Sequence, residues 1–148
     1  MTDTGCVTDR MEQMLSGCEA VVLESNHDEQ LLLSGPYPYE LKLRIRSNWG
    51  HLSNRDAAAL AARLAERGTR HFLLAHLSET NNYPAIAYDE TASALAGSGA
   101  TVAVAEPRDI TMLVGTVGEP VARAGARMPA AAGGAERSAA SAMGGALL

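Results

Sequence analysis

Four side chains stand where chemistry could gather: Asp3 in TDTG, Glu24 at the end of AVVLE, His51 in GHLSN, and His76 in LLAHLSETNN. Carboxylates and imidazoles exchange protons and donate electron pairs to metals. Glu24 and His76 close apolar runs that read as strands, and His51 directly precedes a capped helix. In α/β sheets, functional groups collect where strands end and helices begin. Each residue also has a plainer reading. Asp3 could be a turn former near a frayed end, and Glu24 a solubilising charge. His51 could simply precede an N-cap, and His76 could be a hydrogen-bonded histidine at a sheet rim. His27 lies next to Asp28, which suits a metal pair, but the spacing matches no strong ligand signature and the same residues suit a helix cap. His71 begins a strand beside Arg70 and reads as exposed.

The elements that must position these residues follow from periodicity. Residues 7–15 read as a short helix with Thr8 as N-cap and Met11, Met14 and Leu15 on one face. CEAVVLES is a short valine-rich run between polar residues, which predicts a buried strand. NHDEQLLLSG reads as one or two helical turns ending at Gly35. The prolines of PYPY cannot continue a helix. ELKLRIRSNWGH leaves two readings open: a strand with Lys42, Arg44 and Arg46 on one basic face, or the start of a helix. The clearest helix spans residues 54–67, with Ser53 as N-cap, Asp56 three residues on, and Ala57, Leu60, Ala61 and Leu64 on one face. Gly68 stops it. HFLLAHL is a second buried strand, residues 84–96 a helix with Pro84 in its first turn, and GATVAVAEP a third strand. Strands alternating with helices indicate a layered α/β domain. GSGA, residues 97–100, precedes a strand and so reads as a turn, not a phosphate loop.

Composition narrows the function classes. One domain accounts for 148 residues. Much of the apolar content is alanine and aromatics are scarce, which predicts a lean core. A net charge of −5 gives no global basic signature, so any nucleic-acid contact must come from a local patch. No apolar run reaches membrane-spanning length. The acidic, polar N-terminal stretch is no signal peptide. Cys6 and Cys18 are too few for a disulfide framework, which points to the cytoplasm and reduced thiols. Domain boundaries are expected at 1–114 for the folded part and 115–148 for an Ala/Gly-rich tail without a sustained period, expected to be disordered.

Taken together, TDTGCVTDRM, AVVLESNHD, GPYPYELKLRI, GHLSN and LAHLSETNN resemble the C-terminal half of the metallo-β-lactamase-fold hydrolases of the YycJ/WalJ type, described as 5′-to-3′ exonucleases on double-stranded DNA. The resemblance covers roughly residues 2 to 109. It is more distantly similar to ribonuclease Z and the β-CASP nucleases. It implies an incomplete αββα sandwich, a di-metal phosphodiesterase chemistry with zinc or manganese, and DNA as partner. It assigns Asp3 to the aspartate that bridges two metals and His76 to the last metal-ligating histidine. Glu24 and His51 match an acid and a histidine that help protonate the leaving group. Lys42, Arg44 and Arg46 would suit backbone phosphates, beside the plainer reading of a solvated basic face.

The resemblance also departs from the pattern. The His-x-His-x-Asp-His run that marks this fold is not found among the four histidines here. The expectations are that MTDTG is an internal start, that the chain is a fragment of a longer enzyme, and that alone it is inactive and holds metal weakly. The alternative is a non-catalytic half that completes its sandwich with a missing N-terminal half or with a second copy.

Overall fold

The computed structural model describes residues 1–105. The chain order is α1 (Asp9–Leu15), β1 (Ala20–Glu24), α2 (Glu29–Ser34), α3 (Tyr39–Ile45), α4 (Asn54–Glu66), β2 (His71–Ala75), α5 (Pro84–Ala94) and β3 (Thr101–Val104). The strands form one parallel sheet in the order β1-β2-β3. Ala20 is in register with His71 and Glu24 with Ala75, while His71 is in register with Thr101. Parallel neighbours need crossovers, and α4 and α5 provide them. The two helices pack on each other, so they cover the same face, and α5 also packs on β3.

The core lies between that face and the helices. Alternation along β1 and β2 turns Val21, Leu23, Phe72 and Leu74 inward. Against them sit Ala57, Leu60, Ala61 and Leu64, all fully buried, which are the α4 residues expected from helical spacing. Truncating a buried leucine such as Leu60 to alanine costs about 2–5 kcal/mol in sites of this kind. Val22, on the opposite face of β1, remains 43% exposed.

The caps follow the local chemistry. Ser53 Oγ accepts from Asp56 N at 3.1 Å and donates to Asp56 Oδ2 at 2.8 Å, which fixes the start of α4 one residue after Leu52. Thr8 caps α1 by accepting from Met11 N, and Glu12 ties α1 to α4 through Arg63 and Arg67. Asp28 is engaged as the N-cap of α2, where its Oδ1 accepts from Leu31 N at 2.8 Å.

Of the two readings of ELKLRIRS, the helix is the one formed, as α3 with Pro38 at its N-cap. Side chains two apart on a helix diverge by about 200°, so Lys42, Arg44 and Arg46 do not share the single basic face a strand would give them. No residue of α3 is buried, which is why its apolar alternation did not select a strand. The expected tail at 115–148 lies outside the described residues, as does the 114 boundary. No helix among the described residues is long and apolar enough to cross a membrane. Cys6 and Cys18 are both free thiols.

Candidate functional site

Asp3, Glu24, His51 and His76 meet at the C-terminal edge of the sheet, drawn from four segments. Glu24 is the last residue of β1, and His76 directly follows β2. His51 ends the turn between α3 and α4. Asp3 lies in a segment pinned to β1: Met1 N donates to Val22 O at 2.6 Å, and Glu24 N donates to Met1 O at 2.8 Å. That bonding holds TDTG in place, so Asp3 is not a frayed residue here.

Backbone strain marks the same place. Asp3 has φ 59° and His76 φ 60°, and among the described residues these are the two non-glycine residues in the left-handed region. Side chains at such angles cost roughly 1–3 kcal/mol and persist where surrounding structure enforces them, often at functional sites. For His76 the enforcement is visible: Asn26 Nδ2 donates to its carbonyl at 2.8 Å.

Glu24 organises the site from below. Its side chain is 0% exposed. Its Oε1 accepts from His51 Nδ1 and from His76 Nδ1, each at 2.8 Å. Its Oε2 accepts from Thr4 N at 2.9 Å. An ionised carboxylate only accepts, so both imidazoles must carry their proton on Nδ1. The free nitrogen of each ring is then Nε2, a lone pair when the ring is neutral and a donor when it is charged. Carboxylate–imidazole pairs of this kind orient histidines toward metals. The rings meet edge to face with centroids 5.0 Å apart.

Asp3 completes a donor set. Its Oδ1 is 3.7 Å from His76 Nδ1, and one donor atom each from Asp3, His51 and His76 lies within 4.8 Å of the others. Among the described residues, no lysine or arginine bonds to the buried Glu24 carboxylate; its contacts are the two imidazoles and a backbone N–H. A buried anion needs compensating charge. The donor types, their convergence and this negative field all fit a divalent cation held by Asp3 and His76, with His51 beside it. His27 is not part of the set. It is 2% exposed, its Nδ1 has no hydrogen-bond partner, and burial pushes its pKa below the ordinary value. His71 Nδ1 pairs with Thr101 Oγ1 at the far end of β2.

A buried amide network, which sequence reasoning missed, holds the loops that carry the histidines. Asn82 Nδ2 donates to the carbonyls of Ser25 and Asn26, and Asn54 and Asn82 exchange side-chain hydrogen bonds. Ser25 Oγ donates to Asn54 Oδ1 at 2.7 Å. Backbone bonds add to it, with Asn26 N on Leu52 O and Ser78 N on Asn26 O. The available signal was an asparagine beside each candidate: Asn26 after Glu24, Asn54 after His51, and Asn82 after His76.

Close backbone packing joins the Asp3 loop to the His51 turn. A Cβ on Gly5 would overlap Ser47 O and approach Gly50 N to 2.8 Å, and a Cβ on Gly50 would overlap the carbonyls of Arg44 and Ile45. The three cations separate around this turn. Lys42 Nζ donates to Leu33 O and Gly35 O, so it pins the end of α2. Arg46 is exposed at the end of α3, and Arg44 lines a cavity of about 440 Å³ that also includes His51 and His76.

Known proteins resemble this chain over part of their length. The chain is 47% identical over 87 residues to "Exodeoxyribonuclease YycJ" of Bacillus anthracis, a match of 59% of this chain and 33% of that protein. It is 39% identical over 104 residues to "Exodeoxyribonuclease WalJ" of Streptococcus pneumoniae strain D39, covering 70% of this chain and 39% of the relative; the R6 strain protein matches equally. The chain therefore spans about a third to two-fifths of the length of these curated relatives. No family model matches, and no solved structure matches. Over the matched stretch, the chain is similar to these YycJ and WalJ proteins.

Proposed function

We propose that the chain carries part of the active site of a divalent-metal-dependent phosphodiesterase that degrades DNA from an end. The observation that carries this reading is Glu24: one buried carboxylate oxygen holds two imidazoles, with Asp3 beside them. The exodeoxyribonuclease names of the relatives supply the substrate class and support a metal-dependent hydrolase. We also infer an incomplete metallo-β-lactamase-type sandwich and a cytoplasmic setting; the free thiols are consistent with the latter.

In this mechanism Asp3 and His76 would hold the metal, and His51 keeps its Nε2 free for proton transfer. A divalent cation, zinc or manganese, would supply there positive charge against the phosphodiester oxygens. His51, fixed by Glu24 through Nδ1, presents Nε2 to the cleft. In its charged form that nitrogen donates a proton to the departing oxygen of the cleaved ester, which is otherwise a poor leaving group. Glu24 acts through the histidines: it fixes their tautomer and stabilises the charge that His51 carries before transfer. Arg44 and Arg46 provide charge for backbone phosphates without reading sequence. A two-metal centre needs donors beyond Asp3 and His76, so this chain alone holds metal weakly and turns over slowly or not at all.

The test is a 5′-phosphorylated duplex degraded in the presence of manganese by the chain alone and by the chain mixed with the N-terminal part of one of the relatives. The reading expects nucleotide release from the mixture and its loss on His51→Ala. No release from a mixture that forms a stable complex contradicts it.

A second reading is favoured by the outer edge of β1. Met1 pairs there in the pattern of a parallel strand, and Val22 is exposed beside it. On this reading the chain is a non-catalytic half whose sheet edge takes an extended segment, from a missing half or a second copy. Concentration-independent monomer behaviour in sedimentation contradicts the self-pairing form.

A further inference from the structure

The cavity beside the histidines has a composition that metal ligation does not explain. It combines Tyr37, Leu41 and Trp49 with Arg44, and His51 and His76 also line it. Trp49 is 95% exposed, an unusual position for the largest apolar side chain. Its turn is well fixed: Gly50 N donates to Ser47 O at 2.8 Å and His51 N to Ile45 O at 2.9 Å. Gly50 sits too close to the carbonyls of α3 to admit a side chain. Trp49 is therefore held open at the rim, two residues from His51. Tyr37 stands between Pro36 and Pro38, whose fixed φ angles stiffen that wall.

We propose that this cavity is a nucleotide subsite of the same active centre, which holds one unpaired nucleotide of a DNA end with its base against Trp49 and Tyr37 and its phosphate on Arg44. The proposal rests on the phosphodiesterase reading for the nature of the occupant. Its own support is the juxtaposition of aromatic rings, one exposed guanidinium and the two histidines in one cavity. About 440 Å³ lies within the roughly 300–1,000 Å³ of small-ligand sites. Aromatic faces accept any base, and arginine suits phosphate as a planar, multiply donating cation.

Stacking on Trp49 and Tyr37 tolerates any base. Among the polar lining, Asn26 Nδ2 is committed to His76 O, and Ser78 Oγ accepts from Thr80 N and Asn81 N. The consequence is that the terminal base pair must open before its phosphodiester reaches the histidines, with stacking on Trp49 offsetting the lost pairing.

Trp49 is the one tryptophan of the chain, so its emission reports the subsite directly. The experiment titrates the full 148-residue chain, in EDTA, with 5′-phosphorylated oligo-dT tetramer and with the abasic tetramer of the same backbone. The proposal expects saturable quenching by the dT tetramer, with at least fivefold weaker binding of the abasic one. By anisotropy with a labelled tetramer, Trp49→Ala should weaken binding roughly 5- to 100-fold, the range for loss of one stacked base. Trp49→Phe should retain most of the affinity, and Arg44→Ala should weaken the dT and abasic tetramers alike. Equal binding of the two tetramers, or unchanged affinity in Trp49→Ala, overturns the subsite. Because EDTA removes the metal, this failure is separate from failure of the metal site, which calorimetry on His76 variants reports independently.

Discussion

Replacing Glu24 with glutamine changes one atom type at the point where three hydrogen bonds converge. The carboxylate accepts from His51 Nδ1, His76 Nδ1 and Thr4 N. An amide cannot accept all three. If its oxygen faces the histidines, its NH2 group faces Thr4 N, donor against donor. If it flips, the NH2 faces both Nδ1 atoms, which must then become lone pairs and move their protons to Nε2. A lost hydrogen bond to a charged acceptor costs about 1.5–3 kcal/mol when the partner stays buried. Changes in the groups that orient metal ligands typically cost about 10- to 100-fold in metal affinity. Glu24→Gln should therefore lower unfolding free energy by about 1.5–3 kcal/mol in urea titrations. It should also weaken zinc binding by about 10- to 100-fold in calorimetry. Nitrogen chemical shifts of the rings distinguish the routes, since the wild-type histidines should both show the Nδ1–H tautomer. A variant that keeps the tautomers, the stability and the zinc affinity of wild type refutes the argument that Glu24 organises the site.

Three further outcomes follow from single residues. Gly5→Ala forces a Cβ into Ser47 O and should lower Tm while also weakening metal binding, because the displaced loop carries Asp3; an unchanged Tm contradicts the close approach. Burial, the largest influence, holds the pKa of His27 below its ordinary 6.5, so the folded chain keeps this ring neutral. The unfolded chain takes up that proton first, so the stability contributed is present above about 6.5 and declines as pH falls toward the lowered folded value; thermal melts of His27→Gln across that window should show a shallower decline than wild type. Burial, then Asp28 and Glu29, raise the pKa of Glu90, so its stabilising influence fades as pH rises through the raised value. Glu90→Gln should accordingly raise Tm at neutral pH relative to wild type, and a lowered Tm contradicts the repulsion.

The elements with a clear period were legible. AVVLE and HFLLA have short apolar runs between polar residues, and α4 carries both its cap and its stripe within SNRDAAALAARLAE. The segment LKLRIR was not decided, because a helix lying on the surface buries none of its side chains and so imposes no period on its apolar residues. The candidate site was partly legible. Strand ends and a pre-helix position pointed to Glu24, His76 and His51, but nothing local encodes that one Glu24 oxygen joins residues 27 and 52 positions away. The same limit hid the Asn54–Asn82 pair, which closes over 28 residues. The basic triad shows the converse. A pattern regular in sequence divides in space, with Lys42 spent on the α2 carbonyls and Arg44 turned to the cavity.

Zinc and manganese calorimetry on the 148-residue chain tests the central claim most directly, with His76→Ala and His71→Ala measured beside wild type. The account predicts weak but saturable binding of a divalent ion, lost in His76→Ala and unchanged in His71→Ala, whose ring pairs with Thr101 away from the site. Absence of binding at millimolar metal, or binding that survives His76→Ala, contradicts the assignment of Asp3 and His76 as metal-holding residues.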